Sequence, residues 1–191
     1  MSKYKASKKN VYSSGKAAFL SIIVLLFGIL FIVFIMGVPI FALRSNGLIE
    51  GIEFYSSLSR DHVQIDVSYD IDPPVGGPHS PVPQNCGIYS EVIANENAVH
   101  SLEHGAVWVA YDPSLPITEI NQLENLVEPY DYTLLSPYEA DVLNSPIVVV
   151  AWGIRLEVEA ADDPRLSRFL ELYVQGPQTP EPGEPCTGGM S

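Results

Sequence analysis

Between Ala17 and Leu43 the chain reads AAFLSIIVLLFGILFIVFIMGVPIFAL, 27 residues without one charged side chain. About 20 such residues cross a hydrocarbon core as a helix, so the run predicts a single transmembrane helix. It exceeds the ~7–15 residues of a secretory h-region. No small-x-small cleavage site follows before Arg44, which favours an uncleaved signal anchor over a removed signal.

Lysine and arginine beside a span are retained in the cytoplasm. Lys3, Lys5, Lys8, Lys9 and Lys16 precede the run with no acid among them, which places the amino terminus inside. Beyond Arg44 stand four arginines, no lysine and all 23 acidic residues, a net charge of −19 for residues 45–191 within a chain total of −13. A domain so acidic repels phosphate backbones, which excludes nucleic acid as a partner. The expected layout is a cytoplasmic stub at 1–16, a transmembrane helix at 17–43, a juxtamembrane connector at 44–61 and one extracytoplasmic domain at 62–191. The bilayer is the partner this layout implies; nothing in it indicates a protein partner or an oligomeric state.

Within the outward domain, His62-Val63-Gln64-Ile65-Asp66-Val67-Ser68-Tyr69 alternates polar with apolar, the period of a half-buried edge strand with His62 as a surface histidine on its polar face. Asp72 to Tyr89 is too rich in Pro and Gly for regular structure. Asn95 is placed to cap a helix from Glu96 to about His104, with Gly105 just past its end. Strands are expected at 106–111, 132–135, 146–152 and 155–158, the last two as a hairpin through Gly153. Helices follow from the spacing of Ile117, Ile120, Leu123, Leu126 and Val127, and of Leu166, Phe169, Leu170 and Tyr173 after Asp163-Pro164. This order predicts an α+β fold compatible with a ferredoxin-like sandwich carrying a Pro/Gly-rich loop insertion. The tail from Gln175 to Ser191 shows no core pattern.

The chemistry-bearing side chains are concentrated. His79, Cys86, His100 and His104 fall in one short stretch of a chain with only four histidines and two cysteines. Outside the membrane is an oxidising place, so a disulfide between Cys86 and Cys186 is expected, tying the tail to the Pro/Gly loop. In a helix, His100 and His104 lie one turn apart on one face, a spacing that lets two imidazoles reach one ion. His79 is the third ligand in this reading, and Met190 the fourth if the disulfide brings the tail close. Imidazoles with a thioether favour copper; imidazoles with a carboxylate favour zinc.

Two other readings use the same residues. The histidines can serve as a polar brace, bonded to carbonyls or to Glu96 and Glu103, in a structural or interaction module of the envelope that holds no metal. His100-Ser101-Leu102-Glu103-His104 also matches H-x-x-E-H, the inverted zinc-peptidase pattern, with Glu103 polarising water and Glu171 or Glu181 as third ligand. The expected stop at Gly105 and the modest size of the domain weigh against hydrolysis. Ser101 beside His100 makes no nucleophile pair, because neighbours on a helix point apart.

Four motifs carry a resemblance: Pro73-Pro74-x-Gly76-Gly77-Pro78-His79, Asn85-Cys86-Gly87-x-Tyr89, Val99-His100-x-Leu102-Glu103-His104-Gly105-x-Val107, and Gln175-Gly176-Pro177-x-Thr179-Pro180-Glu181. On these the chain resembles a family of membrane-anchored bacterial proteins known as domain of unknown function 3105, from about Gly51 to the C-terminus. The resemblance implies an extracytoplasmic domain behind one transmembrane helix. It carries over no activity, and the expectation is of a binding protein more than an enzyme.

Overall fold

The computed structural model describes residues 48–191. The stub and the predicted membrane helix lie outside the described residues. Among those described, no helix is long and apolar enough to cross a membrane.

Val-rich and Leu-rich runs make the centre of the molecule. Strands β3 (Val107–Tyr111), β4 (Thr133–Pro137) and β5 (Ile147–Ala151) are buried at every position, and β6 (Ile154–Val158) at all but one. Strands apolar on both faces need cover on both faces. Helices α2 (Ile117–Val127) and α3 (Pro164–Tyr173) cover one, where Leu123, Val127, Leu166, Phe169 and Leu170 pack on Val107, Val109, Val149 and Leu156. The alternate residues Trp108, Ala110, Leu134, Val148 and Val150 face the other way, onto Ala98, Val99 and Leu102 of α1 (Asn95–Glu103) and onto Val75 and Trp152. Asp163 accepts from the Arg165 N–H at 2.9 Å and Pro164 occupies the first turn of α3, the start its sequence predicts.

Two-residue strands β1 (Glu53–Phe54) and β2 (Gly87–Ile88) complete a six-stranded sheet in the order β1-β6-β5-β3-β4-β2. The α+β class is as expected, but the ferredoxin-like sandwich is not formed. That arrangement inserts a strand between the two joined by a helix. Here β3 and β4, joined by α2, pair directly and in parallel, Val107 opposite Thr133 and Val109 opposite Leu135. The reason is that β5 turns back onto the other side of β3, antiparallel, with Val109 opposite Val149. The predicted hairpin pairs β5 with β6 as expected.

The predicted strand at 62–69 does not form either. Its alternation survives only in that Val63, Val67 and Tyr69 turn partly inward, while Ile65 is exposed. Neither sheet edge is offered to it, because β1 and β2 occupy both ends. What remains is one bridge, His62 beside His79, made by Val63 N–H to His79 O (2.7 Å) and His79 N–H to Asp61 O (3.0 Å).

The Pro/Gly passage is packed, not loose: Pro73 to Gly77 is buried against Trp152. Gly76 stands at φ +143°, and a Cβ there would approach Leu58 to 2.8 Å and the Trp152 ring to 3.3 Å. At the other end of the site, α1 ends as expected at Gly105 (φ +98°). Gly105 N–H donates to Leu102 O and Ala106 N–H to Ser101 O, the paired bonds of a Schellman stop. The helix begins one residue earlier than expected, because Asn95 lies inside it and donates to the Tyr138 hydroxyl instead of capping. Gly105→Ala is expected to lower stability by about 1–3 kcal/mol, since φ is positive and the Cβ would meet Gln175 and Thr179. An unchanged melting temperature for that variant would contradict the assigned stop.

Candidate metal centre

Helix α1 is nine residues long and its last six are buried, so its polar residues have to find partners inside the protein. They find them on the Pro/Gly loop and the tail. The Ser101 hydroxyl donates to Gln84 O at 2.6 Å. His100 Nδ1–H donates to Ser80 O at 2.7 Å, and His104 Nδ1–H to Pro185 O at 2.9 Å. On the loop itself, His79 Nδ1–H donates to Gly77 O at 2.7 Å. A carbonyl oxygen only accepts, so each Nδ1 carries its proton.

The three imidazoles therefore have one tautomer when neutral, with an unprotonated Nε2. Those nitrogens are turned into one space. His100 Nε2 faces His104 Nε2 at 3.0 Å, and His79 Nε2 faces Glu103 Oε2 at 3.0 Å. Two lone pairs, or a lone pair and a carboxylate, repel at that distance unless a proton or a metal ion lies between them.

Glu103 is 1% exposed, and both its oxygens are engaged. Arg60 Nε donates to Oε1, while Oε2 faces His79 and stands 3.7 Å from His62 Nε2. Burial opposes ionisation of this carboxyl, yet the Arg60 hydrogen bond and the charge of His79 outweigh it and hold the group below the usual carboxylate range. The same Arg60 guanidinium reaches Glu181, whose other oxygen lies 3.9 Å from His104 Nε2. Burial lowers the proton affinity of His100 most, Ser80 O acts in the other direction, and the neighbouring His104, His79 and His62 lower it further.

His62 joins the cluster from the side on which the predicted strand was to be exposed. Its side chain is 47% exposed, but its ring stacks on His100 at 4.8 Å and meets the His79 ring edge-on at 4.9 Å. One ring nitrogen from each of His62, His79 and His100 lies within 4.8 Å of the others. A tetrahedral ion with bonds of ~2.0–2.1 Å sets its donors about 3.3 Å apart, so the rings would draw closer to hold one. Sequence reasoning assigned His62 to a surface. The available signal was that all four histidines of the chain belong to one cluster.

The disulfide between Cys86 and Cys186 is present, its Cα atoms 5.3 Å apart. Met190 lies over the loop through its backbone, N–H to Pro83 O and its carbonyl accepting from Asn85 N–H, and the residue is 53% exposed. Glu171 pairs with Arg168 on α3 at 3.1 Å. Glu181 does come to the cluster. The occupied oxygens of Glu103 suit an anchoring carboxylate better than the free base that the H-x-x-E-H pattern requires.

Acidification should destabilise the metal-free protein in two steps. Both His100 and Glu103 bind protons more weakly folded than unfolded, so the unfolded state takes up protons first and stability falls with pH. The loss begins below about pH 6.5 through His100 and deepens below about pH 4.3 as Glu103 protonates. Urea midpoints measured from pH 8 to pH 4 test it, and a flat profile between pH 7 and 5 would contradict the assignment for His100.

A family model described as a protein of unknown function (DUF3105) matches residues 62–188. No curated protein and no solved structure matches the chain.

Proposed function

The chain belongs to the DUF3105 family of proteins of unknown function, and from that premise we propose that its domain binds a divalent transition-metal ion at the histidine cluster. His62, His79 and His100 supply imidazole nitrogens, Glu103 Oε2 stands beside them, and His104 backs His100. The observation that carries this reading is the common wiring of His79, His100 and His104. Each gives its Nδ1 proton to a backbone carbonyl and turns Nε2 to the shared space, the outer-sphere arrangement by which metal-binding imidazoles are oriented. Bracing and binding are then two ends of one ring, not competing roles.

Imidazole and carboxylate donors suit Cu(II) and Zn(II), and copper binds the more tightly of the two at a given nitrogen set. Copper is the first candidate and zinc the second; the Met190 thioether would strengthen the case for copper by folding inward. With residues 17–43 in the bilayer and the acidic domain outside, the protein would hold or hand on such an ion at the cell surface. The hydrolase reading has less support, since Glu103 is committed to Arg60 and His79.

Full-length protein purified in detergent without metal-affinity resin should carry, or take up, about one equivalent of copper or zinc by elemental analysis, with a raised melting temperature. Trp152 reports which, because its ring meets His79 edge-on at 5.9 Å. Paramagnetic Cu(II) should quench its emission and Zn(II) should not. Absence of stoichiometric metal together with no thermal shift from either ion would sink the proposal.

A further inference from the structure

The tail reaches this centre without an apolar anchor of its own. From Gln175 to Ser191 only Cys186 is buried, and its bond to Cys86 spans 100 residues of sequence. The rest of the attachment is polar, part of it on the loop at residues 83–86 and part at the end of α1. Glu181 N–H donates to Glu103 O at 3.1 Å, and the Gln175 amide donates to His104 O. These bonds satisfy carbonyls that the last turn of a helix leaves unpaired. Pro185, next to Cys186, provides the carbonyl that fixes His104 Nδ1. Glu181 and Arg60 together close the rim beside His104.

We infer that the tail is a detachable part of the metal centre, with Pro185 positioning His104, and that the Cys86–Cys186 bond sets how tightly the ion is held. The inference rests on the metal-binding reading above. A dithiol reductant breaks the bond by thiol–disulfide exchange, giving up two electrons and two protons. Cys86 and Cys186 become thiols, and the reductant's own two sulfurs become its disulfide.

Once free, the tail must be ordered by hydrogen bonds and the half-exposed Arg60–Glu181 pair, each of small net value against the entropy of a Pro/Gly-rich segment. His104 Nδ1 then loses its acceptor, and nothing holds Nε2 opposite His100 or fixes its tautomer. His79 and His100 stay fixed by Gly77 O and Ser80 O on the loop, and His62 still stacks on His100. Reduction therefore weakens the centre without dismantling it.

The test titrates the full-length detergent-solubilised protein with Zn(II), an ion that dithiols do not reduce, against a chromophoric chelator. Oxidised protein should bind about 10–100-fold more tightly than protein reduced, alkylated and desalted, the range for losing an orienting partner. The Cys86→Ala, Cys186→Ala double variant should match the alkylated form, and circular dichroism checks that both stay folded. In a His104→Ala background the gap between oxidised and reduced protein should close. The imidazole N–H resonance of His104, sheltered by Pro185 O, should be seen in oxidised protein and lost on reduction, whatever the metal content. Clear binding of equal strength in both redox forms, or a gap that persists without His104, overturns this inference and leaves the metal site standing. No binding by the oxidised protein overturns both, even if the resonance behaves as expected.

Discussion

Glu103→Ala is expected to destabilise the domain by about 3–5 kcal/mol, a large part of what a domain of this size has to lose. The carboxylate is buried, and its removal strands His79, which is fully buried and has both ring nitrogens directed at acceptors. Arg60 is half-exposed and can turn to water, so the loss comes mainly from His79 and from the void. Glu103→Gln keeps the shape and one acceptor oxygen, and should fall between. Chemical unfolding followed by tryptophan emission measures both. If Glu103→Ala unfolds within 1 kcal/mol of the native chain, Glu103 is not the hub described above.

His100→Ala should abolish tight metal uptake, with affinity falling by more than about 100-fold, beyond the range for outer-sphere losses. His100 is the one residue that faces His104 through Nε2, stacks with His62 and lies in the three-histidine set with His79. His62→Ala should cost less, because its ring is half-exposed and, among the described residues, no carbonyl fixes its nitrogens as those of the other three are fixed. Competition titration with Zn(II) ranks the two variants. Equal and undiminished affinity in His100→Ala would place the ion elsewhere.

The core was legible because its periodicity is strong. The Val-rich runs at 107–111 and 147–151, the hairpin through Gly153 and the apolar stripes of α2 and α3 lie where hydrophobic spacing places them. The pairing of β3 with β4 was not legible, since spacing along a chain does not say which neighbour a strand takes. His62 shows the same limit at the site. Alternation set it on a polar face, and that much holds, but no local pattern says that the polar face meets His100. His79, His100 and His104 were found because composition alone isolates them. The carbonyls that fix them, Gly77, Ser80 and Pro185, carry no side-chain signature and could emerge only from the folded backbone.

The two faces of the sheet divide labour. All four histidines, Glu103 and the disulfide belong with α1, the loop and the tail, while the face under α2 and α3 is covered by side chains such as Leu123, Phe169 and Leu170. Substitution on the second face changes how much protein persists and leaves the chemistry of what persists alone. On the first face, if the cluster binds an ion as proposed, a single change alters abundance and ion affinity together, because the same rings serve both. Volume-conserving exchanges in the cores of α2 and α3 therefore cost stability alone. A change in α1 instead reaches the loop and the tail at once, because the carbonyls that hold its side chains belong to them.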